Sequence, residues 1–162
     1  MLKNKLAIIG GSGLYNIEGL SNVESLKIKT PWGDPSDELT KALFKSKEVI
    51  FLPRHGRGHF ISPTKINFRA NIDALKQLGV TDIVSISAVG SLKEDLEPGM
   101  FVIVDQFIDR TFARNKTFFD DDIVAHVSMA KPTSEGLMNA CEESIKSENI
   151  QYKRGATYLV ME

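Results

Sequence analysis

The amino-acid sequence predicts an α/β fold, and three observations carry that prediction. Short all-apolar runs at 6–9 and 49–52 are what strands buried on both faces require. Stretches of helical period lie between and after such runs. Turns of glycine and other small residues directly follow the apolar segments, the pattern of mixed strand and helix rather than of a bundle or sandwich. Of the 162 residues, 42% are hydrophobic and 25% charged, with a formal net charge of −1. That balance excludes a disordered chain. It also provides no long-range field for nucleic acid or an anionic membrane, so neither is expected as a partner. The length suits one domain, and residues 1–162 are expected to form it.

In chain order, 6–9 is the first buried strand and ends in Gly10-Gly11-Ser12-Gly13. Residues 23–29 alternate loosely through Leu26 and Ile28, which suits a more exposed antiparallel strand. Residues 39–44 and 48–52 read as two strands joined by a Lys45-Ser46-Lys47 turn. From 67 to 78 the period becomes helical, with Phe68, Ile72, Leu75 and Leu78 on one face and Gly79 as terminator. Residues 80–86 return to strand, Pro98-Gly99 marks a tight turn, and 101–104 follows as an apolar strand. Ser134 can cap a second helix bearing Leu137, Met138, Cys141 and Ile145, and 157–161 is the last strand-like run. The chain then stops at Glu162 without turn, cap or polar tail, so the domain is expected to be incomplete on its C-terminal side.

The N-terminus has four consecutive apolar residues before its glycines, too few for a signal sequence, and no run approaches the ~20 needed to span a bilayer. A single cysteine, Cys141, cannot form an internal disulfide. A cytoplasmic protein is expected.

Three segments could carry chemistry, each just past a strand, where open α/β sheets place their ligands. Gly10-Gly11-Ser12-Gly13 exposes backbone N–H groups and a hydroxyl that could cradle an anion; a plain tight turn explains it equally well. A dinucleotide fingerprint would need glycine at position 16, which is Asn16, and no phosphate-loop Lys-Ser or Lys-Thr follows. Arg54-His55-Gly56-Arg57-Gly58-His59 sets two arginines and two of the three histidines after the apolar run. Arginine matches phosphate oxygens bidentately, so an anion site is favoured over a solvated basic loop. His55 and His59 have a zinc-helix spacing, but the intervening glycines argue against a helix and no metal is expected. Ser87-Ala88-Val89-Gly90-Ser91 allows close approach to a ligand or simply close packing.

Elsewhere, Cys141 reads as a packed core thiol and Asp105 and Asp109 as structural at least as much as acid–base groups. Asp120-Asp121-Asp122 could be a solvated loop or a cation site, and the loop is favoured. His126, between Ala125 and Val127, has the local pattern of an ordinary partly buried histidine.

Taken together, these segments resemble the 5′-methylthioadenosine phosphorylases of the trimeric purine nucleoside phosphorylase branch. The resemblance is carried by 8–14, Thr30-Pro31-Trp32-Gly33-Asp34-Pro35-Ser36, 54–59, 67–78, 88–92 and Pro98-Gly99. It continues through Asp105-Gln106-Phe107-Ile108-Asp109-Arg110-Thr111 and His126-Val127-Ser128-Met129-Ala130, colinear to the last residue. It implies a three-layer αβα fold around a central mixed sheet. It implies phosphate held by Ser12, Arg54, His55, Ser87 and the Ala88 backbone. His126 matches a histidine given across a subunit interface to the 5′ end of the neighbour's nucleoside, in a homotrimer or hexamer.

The implied reaction is phosphorolysis of S-methyl-5′-thioadenosine to adenine and 5-methylthioribose 1-phosphate, in purine and methionine salvage. Inorganic phosphate is a co-substrate, and no cofactor or metal is implied. The family's chains continue past the acid matching Glu162, and that part supplies ribose contacts and the purine-binding aspartates. On the resemblance, no catalytic residue is therefore expected among these 162, and 6-amino and 6-oxo purines are not distinguished. A methylthioinosine or general purine nucleoside phosphorylase is the nearest alternative. A non-catalytic phosphate-binding or subunit-interaction fragment is the alternative of another class.

Overall fold

The computed structural model of the chain describes residues 4–11, 13, 17–119 and 122–162. It separates into two units, one of residues up to Ser87 together with Arg114–Phe118, the other of Ala88–Ala113 and Phe119–Glu162.

The first unit is built on a five-stranded mixed sheet of order β2-β3-β4-β1-β5, with β1 Leu6–Gly10, β2 Leu20–Leu26, β3 Leu39–Phe44, β4 Lys47–Pro53 and β5 Asp82–Ser85. β1 lies parallel to both β4 and β5, while β3 is antiparallel to β4 and β2 antiparallel to β3. β4 is apolar throughout 49–52 because it is central: Val49 to Pro53 are all buried. Its side chains alternate between two small cores. Ile50 and Leu52 pack with Ala7, Leu39, Ala74 and Leu75, whereas Val49 and Phe51 pack with Ala42, Ile8, Ile17 and Leu20.

The helix α1, Phe68–Gln77, contributes Ala74 and Leu75 to the first core. Its start is fixed by Asn67, whose side chain accepts from the Ala70 N–H at 3.1 Å, and Gly79 lies just past its C-cap. Two further asparagine contacts tie it to the chain before β3. Asn67 donates to the Trp32 carbonyl at 2.7 Å. Asn71, 3% exposed, accepts from the Ser36 N–H at 2.8 Å and donates to the Ser36 hydroxyl at 2.9 Å. Residues 114–118 lie on the same helix, Phe118 edge-on to Trp32 at 5.3 Å and Arg69 over the Trp32 ring at 4.6 Å.

The expected exposed strand sits three residues earlier than the alternation of Leu26 and Ile28 suggests. Pairing with β3 sets its position, through Leu20↔Phe44 and Leu26↔Leu39, with a bulge between Ser21 and Glu24 where Asn22 has φ +50°. Ile28 still packs on the core, but past the end of the ladder.

The second unit carries β6 Phe101–Ile103 paired in parallel with β8 Tyr152–Arg154, and β7 Gln106–Asp109 in parallel with β9 Thr157–Val160. Parallel neighbours need a long crossover, and the helix α2, Glu135–Ser147, supplies it. Ser134 caps α2 as expected, accepting from the Leu137 N–H. Neither β7 nor β8 is visible in the apolar pattern, since Tyr152-Lys153-Arg154 is largely charged.

β8 is fastened to α2 by Glu142, which accepts from Tyr152 Oη at 2.8 Å, Lys146 Nζ at 2.9 Å and Arg154 Nη1. These donors, Lys146 first, hold the Glu142 carboxyl down at about 2. No helix among the described residues is long and apolar enough to cross a membrane.

Candidate functional site

Because β4, β1 and β5 run in parallel, their carboxyl ends lie side by side. The register pairs Gly10 with Pro53 and Ile9 with Ser85. The chain leaving each strand stays attached to β1: the Arg54 N–H donates to the Gly10 carbonyl at 3.1 Å and the Ile86 N–H to the Ile9 carbonyl at 2.9 Å. The structure therefore brings together Gly10 and Gly11, the 54–59 loop and Ser87. Ser12 lies outside the described residues, as do Asp120 and Asp121 of the acidic segment. Ala88 follows Ser87 in sequence and opens the second unit.

Arg54 bridges this edge. Its Nη1 donates to the Ile86 carbonyl at 2.8 Å, across the end of β1. A guanidinium has more N–H donors than that bond uses, so Arg54 is braced and still able to grip an anion. His55 is 8% exposed, and its Nδ1 lies 2.9 Å from the Ile61 carbonyl. A carbonyl only accepts, so Nδ1 carries the proton and Nε2 lies outside that bond. The Ile61 N–H returns a bond to the His55 carbonyl at 3.1 Å, closing the loop.

Residues 54–59 form turns, as the glycines imply, with φ of +71° at Gly56, +87° at Gly58 and +57° at His59. The His55 and His59 rings stack at 4.3 Å with 28° between planes. Among the described residues no group of three His, Cys, Asp or Glu side chains is arranged to hold a metal ion.

Sequence patterns did not reveal the groups that hold this loop from outside it. Asp37 Oδ2 accepts the Arg57 N–H at 2.6 Å, and Arg57 Nη2 reaches Thr40 Oγ1 at 3.4 Å. Nor did they reveal the carbonyls of Ile61 and Ile86, because backbone acceptors leave no compositional trace.

His126 belongs to the second unit and is exposed rather than partly buried. Its apolar neighbours are exposed with it, Val124 at 79% and Val127 at 75%. Cys141 is partly buried on α2, in keeping with a packed thiol. Asp109 accepts the Thr111 N–H at 2.8 Å, a turn-forming role.

A mixed sheet whose parallel strands end together on glycines, an arginine and a histidine defines an α/β protein with its candidate site at that edge. Comparison with known proteins narrows this: the phosphorylase superfamily profile matches residues 5–161, and the chain belongs to that superfamily. It is 54% identical over 161 residues to the S-methyl-5′-thioadenosine phosphorylase of Cereibacter sphaeroides, covering 99% of this chain and 56% of that one. It is 55% identical over 157 residues to that of Rhodospirillum rubrum, covering 97% and 53%. Among solved structures, a methylthioadenosine phosphorylase from an antarctic soil metagenomic library is similar with a TM-score of 0.95 at 47% identity, over 100% of this chain and 57% of that one. The Schistosoma mansoni methylthioadenosine phosphorylase in complex with tubercidin gives 0.91 at 34% identity, over 98% and 64%. The α/β class and the mixed sheet expected from sequence are thus borne out. The chain spans a little over half the length of the curated relatives it matches, 56% and 53% for these two.

Proposed function

We propose that this chain forms the phosphate-binding part of an enzyme that cleaves S-methyl-5′-thioadenosine with inorganic phosphate, giving adenine and 5-methylthioribose 1-phosphate. The observation that carries the reading is the side-by-side ending of β4, β1 and β5, with Arg54 braced across it to Ile86. The similarity to proteins named S-methyl-5′-thioadenosine phosphorylase supports the choice of nucleoside.

In this reading Arg54 binds the phosphate through its uncommitted N–H groups, His55 through Nε2, and Ser12, Ser87 and the Ala88 backbone complete the cradle. A phosphate oxygen attacks the anomeric carbon as its bond to the purine nitrogen breaks, and the proton that the phosphate gives up on becoming the ester ends on the departing purine. The transition state has oxocarbenium character, so the task of this edge is to fix the anion against the sugar face. No metal or organic cofactor enters the scheme.

His126 is assigned to the 5′ end of the nucleoside on a neighbouring subunit of a homotrimer or hexamer. Support comes from its exposure between Val124 and Val127, a segment that would be costly to leave in water.

Phosphate titration, and an adenine-release assay with methylthioadenosine run with and without phosphate, test the reading. Phosphate-dependent release by this chain supports the reaction and overturns the expectation that no catalytic residue lies among these residues. Phosphate binding without release supports the anion site and assigns base recognition to sequence outside these residues. A chain that binds no phosphate overturns it.

A further inference from the structure

We propose that Asp37 is a positioning residue for the anion site, acting through the backbone of the basic loop; the inference rests on the phosphate-site reading above. The loop that carries Arg54 and His55 contains three left-handed residues, Gly56, Gly58 and His59, and two of them are glycines. Such a loop has many alternatives to its observed path. Its internal bonds, Gly56 N–H to Pro53, His59 N–H to Gly56 and Ile61 N–H to His55, close it on itself.

The 36–40 segment attaches the loop to the rest of the unit. Asp37 Oδ2 takes the Arg57 N–H at 2.6 Å, while Oδ1 takes the Glu38 N–H at 2.7 Å and so holds the carboxylate in place. Ser36, the preceding residue, is locked to buried Asn71 of α1 by two hydrogen bonds. The Ser36 carbonyl also stands where a Cβ on Gly56 would meet it at 3.2 Å, so the loop backbone lies directly on this segment. A continuous path therefore runs from the packed helix through Ser36 and Asp37 to Arg57, two residues from His55.

An aspartate is a poor choice beside an anion site unless its acceptor geometry is what is needed, since its charge opposes the ligand. This separates geometry from charge. Asp37→Asn removes the charge and keeps one acceptor oxygen, enough for the Arg57 N–H but not also for the Glu38 N–H. Asp37→Glu keeps the charge and moves the oxygens by a methylene. Asp37→Ala removes both.

The test is the dissociation constant of inorganic phosphate for the full chain and the three variants, by titration calorimetry well below each melting temperature. Hydrogen exchange of the Arg57 amide and the 15N signature of the His55 tautomer are measured alongside. Asp37→Ala is expected to weaken phosphate about tenfold or more and Asp37→Glu several-fold, with Asp37→Asn within about threefold of the parent. Amide protection and the Nδ1–H tautomer should follow the same order. If Asp37→Ala does not fold, the pair Asn and Glu decides, since they differ in opposite senses. Unchanged phosphate affinity in Asp37→Glu and Asp37→Ala, or Asn as damaging as Ala, overturns the proposal. A parent chain that binds no phosphate overturns the phosphate-site reading and this role with it, and is recognised from the parent titration alone.

Discussion

Arg54 Nη1 donates to the Ile86 carbonyl at 2.8 Å, joining the residue that follows β4 to the residue that follows β5 over the end of the intervening β1. One side chain thus ties together two of the strand ends that form the proposed phosphate site. Its charge and its brace are separable functions.

Arg54→Ala removes both, and phosphate affinity should fall about 10- to 100-fold, the range for losing charge-assisted hydrogen bonds. Arg54→Lys should recover only part of this, because an ammonium cannot hold Ile86 and grip the anion in the same planar fork. Nucleoside affinity should change far less than phosphate affinity. Titrations of each ligand check this, and equal losses for both would contradict the assignment.

Asn71 is the buried link beneath that loop. Asn71→Ala leaves the Ser36 N–H and hydroxyl without their partner in a site where Asn71 is 3% exposed and Ser36 7% exposed. A cost of about 2 kcal/mol or more is expected from the unsatisfied donor, read as a lower urea midpoint with an unchanged slope. Ile72, its neighbour on α1, is 39% exposed, and Ile72→Ala should cost much less.

These links divide by how far they could be read in sequence. The strands at 6–9 and 49–52 were legible because interior strands carry unbroken apolar runs, fully buried at 49–52 and buried or half-buried at 6–9, and the helix starts because Asn67 and Ser134 are capping residues in the chain itself. The basic loop was legible because arginine, histidine and glycine are compositionally distinctive. The Asp37 contact was not, since a carboxylate meeting a backbone N–H 20 residues away gives no pattern. β8 was hidden for a related reason: Tyr152-Lys153-Arg154 becomes a strand through its partner Phe101–Ile103, some fifty residues earlier, and through Glu142. The exposure of His126 was misread because apolar neighbours signify burial only when something covers them.

Glu142 gives the second unit an acid limit. Its carboxyl ionises at about 2 when folded, below the ordinary 4.5, because Lys146, Tyr152 and Arg154 hydrogen-bond its charged form. A depressed acid contributes stability above its unfolded pKa and loses it as pH falls through the folded one. The contribution is therefore intact above about pH 4.5 and lost progressively toward pH 2. Urea midpoints of the chain and of Glu142→Gln across that interval check it. The variant should be less stable at neutral pH, with the difference closing by pH 2; a gap that stays constant would remove Glu142 as the cause.

Gly56→Ala separates two sources of strain in the basic loop. The added Cβ would lie 2.8 and 2.9 Å from Phe60 ring atoms and 3.2 Å from the Ser36 carbonyl, at a φ of +71°. Phe60 is 74% exposed and can swing away, whereas the Ser36 backbone is fixed by Asn71. The left-handed conformation adds about 1–2 kcal/mol for any residue with a Cβ. Gly56→Ala should therefore destabilise by about 1–3 kcal/mol, while Phe60→Ala alone stays within about 0.5 kcal/mol. The double variant should recover only the smaller share, because the backbone contact and the dihedral remain. Thermal and urea unfolding of the three variants measure this, and full recovery in the double variant would assign the strain to the ring alone.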